Sequence, residues 1–243
     1  MNWSPREIKK EAARALRPDY WHIWFGSALL MVLTYFTLIS FMLNSANELP
    51  DTLKNLTVRI NSADRKQIIA VIFVLVMGVF ALNTLIQLLI SVFFKYPIQV
   101  GARKLFLEIW QSEDGKGKTA DLMFAFDNHY RNIVWIMLVR VLRELVYGLL
   151  LVIPGIWRAY TYRMVPYILS ENPGMSIEYA FNRSIELVKG HKWRLFLYDL
   201  SFIPWHILGI LTFGIVELFW VHPYKNMADA KLYLLLKNAG KTV

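Results

Sequence analysis

The chain of 243 residues contains no cysteine. That absence excludes a disulfide framework, a thiolate metal site, an iron–sulfur cluster and a cysteine nucleophile. Charge is also scarce: Asp, Glu, Lys and Arg make up 19% of the chain, where soluble domains carry roughly a quarter. The acidic sign is the rarer, 18 residues against 27 Lys and Arg, for a net charge of +9. Sequence patterns for chemistry are missing too. There is no HExxH, no GxSxG, and Gly115-Lys116-Gly117-Lys118 lacks the strand and helix of a phosphate loop. The five histidines, His22, His129, His191, His206 and His222, show no ligand spacing. No metal, no cofactor and no enzymatic activity are therefore expected; an intramembrane enzyme would have to draw on Asp121, Asp127 and His129.

What the chain has in abundance is apolar surface. Hydrophobic residues reach 56%, aromatics 15%, and the mean hydropathy is +0.37. One water-soluble core cannot hide so much, so the expected solvent is a lipid bilayer. In that setting a cationic excess gathers on the cytoplasmic face, beside anionic phospholipid head groups; no nucleic-acid partner is expected. The opening Met1 to Glu7 carries acid and proline before any apolar run, so no cleaved signal peptide is expected.

The expected fold is all-α, a single integral membrane domain. Residues 1–18 form an amphipathic helix: Ser4 as N-cap, Pro5 at the first helical position, Glu7 closing a capping box, Trp3 with Ile8 as a hydrophobic staple. Arg6, Lys10, Arg14 and Arg17 form a basic stripe, which reads as a helix lying on the membrane surface. Apolar runs over 22–43 and 68–94 meet the roughly 20 residues needed to cross a bilayer. The balanced segment 44–67 between them reads as an outer loop, and 95–132 as cytoplasmic.

The second half admits two topologies. Reading 133–157 as one long span gives four crossings and leaves Arg158 to Arg194 outside, against the positive-inside rule. A tight turn at Pro154-Gly155 instead gives spans 133–153 and 156–169, then 195–211 and 215–236 joined at Thr212-Phe213-Gly214. That makes six spans with both termini inside, and the rule favours it. Between spans four and five, 173–190 reads as an amphipathic connector closed by Gly190, followed by the interfacial anchor Lys192, Trp193 and Arg194. No internal repeat is evident beyond the similar layout of the two glycine-centred hairpins. The nine tryptophans mostly fall near span ends, as an aromatic belt would have them.

Several stretches carry a family resemblance: Val152-Ile153-Pro154-Gly155-Ile156, Val165-Pro166-Tyr167-Ile168-Leu169-Ser170-Glu171-Asn172-Pro173, Ser184 through Phe196, and the closing Leu211-Thr212-Phe213-Gly214-Ile215, Trp220-Val221 and Pro223-Tyr224. With the opening Glu7 to Leu16, these resemble the uncharacterised bacterial integral membrane proteins grouped as domain-of-unknown-function family nine hundred and seventy-five. The resemblance implies a multi-span protein of the bacterial plasma membrane without an assigned activity. It brings no catalytic residues. His222 departs from the pattern where a smaller polar residue is expected.

Charges within the spans are the best functional pointers. Arg140, Arg143, Glu144 and Tyr147 share one face of span three, Asp199 and His206 can share a face of span five, Arg158 and Arg163 lie in span four, and Glu217 in span six. Facing lipid, each would be costly, so they should turn inward and pair. Two functions are open: binding or moving a small ionic or lipidic ligand through this network, or an interaction, stress-response or immunity role using the basic cytoplasmic face.

Overall fold

Ser4 adopts extended backbone (φ −113°, ψ 146°), and its hydroxyl accepts from the Glu7 amide at 3.2 Å while its own amide donates to the Glu7 carboxylate at 3.3 Å. This capping box starts helix α1 (Pro5–Ala15) where the sequence calls for it, a contribution of about 1 kcal/mol. The computed structural model describes residues 3–16, 18–32, 64–150 and 152–239. Arg17, the second half of the 22–43 run (33–43) and residues 44–63 lie outside the described residues.

Helix α2 covers 20–32. After 64 come α3 (Asp64–Ile90), a π-helical turn (Ser91–Lys95) and α4 (Tyr96–Gln111), one continuous helical path. A 3₁₀ turn (Thr119–Met123) and α5 (Phe124–Asp127) lead to α6 (Tyr130–Leu150), α7 (Val152–Tyr162), α8 (Val165–Glu171) and α9 (Ile177–Val188). Then follow α10 (Lys192–Leu200), α11 (Ile203–Leu211), a second π turn (Glu217–Val221) and α12 (His222–Ala239). All described secondary structure is helical.

Among the described residues two helical stretches are long and apolar enough to cross a membrane, Phe73–Gln111 and Lys192–Leu211. The most apolar window of the first has no buried residue: Phe73, Leu75, Phe80, Leu82 and Leu85 are exposed on every side.

Packing elsewhere centres on α1, α4, α8 and α12, whose Ile8, Ala12, Phe106, Tyr167, Ala228 and Tyr233 join one core. This corrects the surface-helix expectation for α1. Trp3, Ile8, Ala12 and Leu16, the face that would enter lipid, are buried in this core; Arg6, Glu7, Lys10 and Arg14 face outward. Trp3 is thus a core residue and not part of an interfacial belt. So is Trp110, partly buried and donating to the Met227 carbonyl at 3.0 Å. Trp21, Trp135, Trp157, Trp193 and Trp220 stay exposed.

Two joints in the fold repeat one device. Each π turn is followed by a residue and then proline, Tyr96-Pro97 in the first and His222-Pro223 in the second. A proline in a helix has no N–H for the carbonyl four residues back, which orphans Phe93 and Phe219. Both carbonyls are satisfied by a tyrosine hydroxyl from the start of another helix: Tyr130 donates to Phe93 at 2.8 Å, and Tyr20 donates to Phe219. No repeat is legible in the sequence because the two seven-residue joints, 91–97 and 217–223, share only Phe93 with Phe219 and Pro97 with Pro223, and their meaning lies in the geometry.

The second half departs from expectation in one decisive respect. Lys192 sits 5.0 Å from the Trp157 ring, Tyr160 lies 6.5 Å from Phe196, and Arg163 bonds Asp199 at 2.6 Å. This near-constant offset means that α7 and α10 run side by side in the same direction. Consecutive spans four and five would run oppositely. The expected tight turn at Pro154-Gly155 is also absent: α7 begins at Val152, and both residues are part of it. Gly155 is needed there because its α-carbon approaches Gly148 so closely that a Cβ would stand 2.7 Å from the Gly148 Cα.

Candidate functional site

Arg163 ends α7 in a two-residue turn, Asp199 occupies the last turn of α10, and Lys225 and Asp229 are one turn apart on α12. The fold gathers all four. Arg163 donates from both terminal nitrogens to Asp199, at 2.6 and 3.1 Å, and from Nη2 to Asp229 at 2.8 Å. Lys225 Nζ reaches Asp199 at 2.8 Å and Asp229 at 3.6 Å, and the Tyr198 hydroxyl donates to Asp229 at 2.9 Å. Two cations face two carboxylates, so the formal charges cancel. Forked guanidinium–carboxylate bonds are strong and directional. Such a cluster fixes the register of three elements more surely than it adds net stability.

Lys9 of α1 points inward at the edge of this cluster. Its ammonium donates to the Ser201 carbonyl at 2.6 Å and lies 4.0 Å from the Phe202 ring centre. Burial, and then the neighbouring Lys225 charge, push its pKa below the ordinary lysine value. On the other side of α12, Arg103 of α4 donates to Asn226 at 2.8 Å, and Asn226 donates to Ser27 of α2 at 3.0 Å.

A second group sits where α11 turns back into the second π turn. Glu217, 9% exposed, receives His206 Nδ1 at 2.9 Å and lies 3.4 Å from His222 Nε2. Gly209 makes room for it, since a Cβ there would collide with the Glu217 carboxylate. Among the described residues no group of three or more His, Cys, Asp or Glu is arranged to hold a metal ion.

The sequence-derived candidates thus separate into distinct sets. Arg140 pairs with Glu144 at 2.8 Å as expected. Arg143 stacks on Phe181 at 4.3 Å, and Arg158 stacks on Tyr147 at 4.4 Å while bonding its hydroxyl at 3.3 Å. Asp199 and His206 do not share a site, because the Ser201-Phe202 turn separates α10 from α11. Sequence reasoning missed Lys225 and Asp229. Their signal was their spacing of four on one helix, an ion pair facing inward on a segment read as the end of span six. At the surface, Lys192 covers Trp157, exposed Trp193 stacks on Phe196 at 5.2 Å, and Arg194 is exposed beside them. Burial and the Arg194 charge lower the pKa of neighbouring His191.

An acidic pair lies outside these clusters. Burial, then a hydrogen bond and the charge of the Glu108 carboxyl, push Asp121 up to about 6. Lys104 holds Glu108 from the other side at 3.1 Å.

These features define, among the described residues, an all-helical fold with two membrane-length apolar helices and a self-neutralised charge cluster. The chain belongs to the family described as protein of unknown function (DUF975), whose model matches residues 23–240. No curated protein and no solved structure matches it significantly.

Proposed function

We propose that this chain is a multi-pass protein of the bacterial plasma membrane, with both termini cytoplasmic, that works without catalysis as an interaction factor through its basic inner face. The observation that carries the reading is the mutual satisfaction of Arg163, Asp199, Lys225 and Asp229. A path for a small ionic ligand needs charges held for that ligand, whereas these are spent on one another, as a clamp would spend them. The exposed stripe Arg6, Lys10 and Arg14 on α1 supplies cationic surface, and opposite charge steers acidic partners to such a face.

The number of crossings belongs to the same proposal. Six alternating spans, the arrangement favoured by the positive-inside rule, would need α7 and α10 antiparallel; their common direction supports fewer complete crossings.

The test uses the reconstituted protein. Inside-out vesicles should retain poly-glutamate in a salt-sensitive manner, and the triple variant Arg6→Gln, Lys10→Gln, Arg14→Gln should release it. Dye-reported ion flux should match empty liposomes. A saturable flux that Asp199→Asn abolishes would replace the interaction reading with transport.

A further inference from the structure

The hairpin of α6 and α7 combines features that a full crossing and a water-exposed hairpin each fail to explain. Its end is apolar: Leu145 and Val146 on one arm, Ile156 and Trp157 on the other, all exposed. A collar of cations and aromatic rings surrounds it immediately below. Arg158 is bonded to Tyr147 across the two arms, Lys192 lies over Trp157, and exposed Trp193 and Arg194 follow on α10. One turn further down, Arg143 covers Phe181.

Depth follows from helix geometry. From Val152, the first residue of α7, to Arg158 is six residues, about 9 Å at 1.5 Å per residue, well short of the ~30 Å hydrocarbon thickness. Below the collar, α9 runs antiparallel along α7, with Phe181 4.8 Å from Tyr162 and the Ser184 hydroxyl donating to the Thr161 carbonyl at 2.7 Å. Its outer side carries exposed Glu178, Glu186 and Lys189. A helix so charged lies in water, so the stretch of α7 beside it lies no deeper than the head groups.

We infer that the α6–α7 hairpin is a re-entrant wedge: its apolar end occupies the acyl region of the cytoplasmic leaflet and turns back, with the Arg158–Lys192–Arg194 collar at anionic phosphates. The inference rests on the membrane reading above and names the surface that one part of the molecule engages. The Gly148–Gly155 contact, where a Cβ would stand 2.7 Å from the facing Cα, lets the two arms pack closely enough to form a narrow wedge.

The absence of native cysteine makes the test direct. Leu150→Cys places a thiol at the end of α6, and Ser62→Cys one in the segment between the 22–43 run and α3. In intact cells an impermeant maleimide should label Leu150→Cys roughly tenfold less than Ser62→Cys, because a thiol in the acyl region meets no aqueous reagent. A bimane label placed at Leu150→Cys in detergent should, after reconstitution, be quenched more by acyl-chain than by head-group spin labels; Val146→Cys serves if the first variant folds poorly. Labelling from outside equal to that at Ser62→Cys, or quenching by head-group labels alone, overturns the wedge and leaves the membrane reading standing. Release of the parent protein into the soluble fraction by carbonate washing would overturn both.

Discussion

The Tyr20 hydroxyl donates to the carbonyl of Phe219, the acceptor that Pro223 leaves without its helical N–H. The bond ties the start of α2 to the last joint of the chain, and Tyr130 does the same for Phe93 in front of Pro97. Tyr20→Phe should cost about 1 kcal/mol, the usual value of one hydrogen bond with its acceptor left unpaired. In a Pro223→Ala background, where the helix can supply its own donor, the same substitution should cost much less. Thermal melts of the four proteins of this cycle in detergent measure the coupling. Additive losses would mean that the hydroxyl does not substitute for the missing amide.

Removing one member of the four-charge cluster should be severe. Asp229→Asn strips a carboxylate that faces both Arg163 and Lys225, and leaving buried charge uncompensated costs roughly 3–5 kcal/mol. The double change Asp229→Asn with Lys225→Met removes one charge of each sign and should recover much of that loss. A double variant as unstable as the single one would show that shape, not charge balance, holds α12 in place.

Acid–base behaviour should centre on Asp121. Its folded-state value of about 6 lies above the ordinary aspartate value of 3.8, so the folded protein favours the protonated form. The stabilisation is complete below about pH 4 and is lost as pH rises through about 6. The melting temperature should fall across that window, and Asp121→Asn should flatten the fall. An unchanged profile in the variant would place the titration elsewhere.

The two faces of α1 should respond oppositely. Ile8, 1% exposed, should cost about 2–4 kcal/mol when cut to alanine, whereas the outward Arg6→Gln should stay within about 0.5 kcal/mol. Equal, small effects would mean that α1 does not depend on the core it shares with α12.

Local rules made much of this fold legible. The capping box of α1, the ending of α9 near Gly190 with its φ of 76°, and the Arg140–Glu144 pair appear where residue spacing puts them. Each depends on neighbours within a turn. The partners of Arg163 do not: Asp199 and Asp229 stand 36 and 66 residues away, and periodicity says nothing of which distant carboxylate meets which guanidinium. Hydropathy likewise marks 156–169 and 195–211 as apolar without revealing direction. The parallel course of α7 and α10 comes from an intervening helix, α9, that lies flat against α7 and returns the chain to its starting level. The amphipathic pattern of α1 is equally at home on lipid or on protein, and only α12 decides between them.

The two tyrosine-capped joints also set a timetable for biogenesis. Tyr130 follows its acceptor by 37 residues, while Tyr20 precedes Phe219 by 199. At a synthesis rate of about 5–20 residues per second, the first joint can close within seconds of Phe93 emerging, whereas the Tyr20 hydroxyl waits roughly 10–40 s for its acceptor. The second helix of the chain therefore carries a latch that closes late, and a nascent chain stalled before residue 219 holds an open end for quality control to recognise.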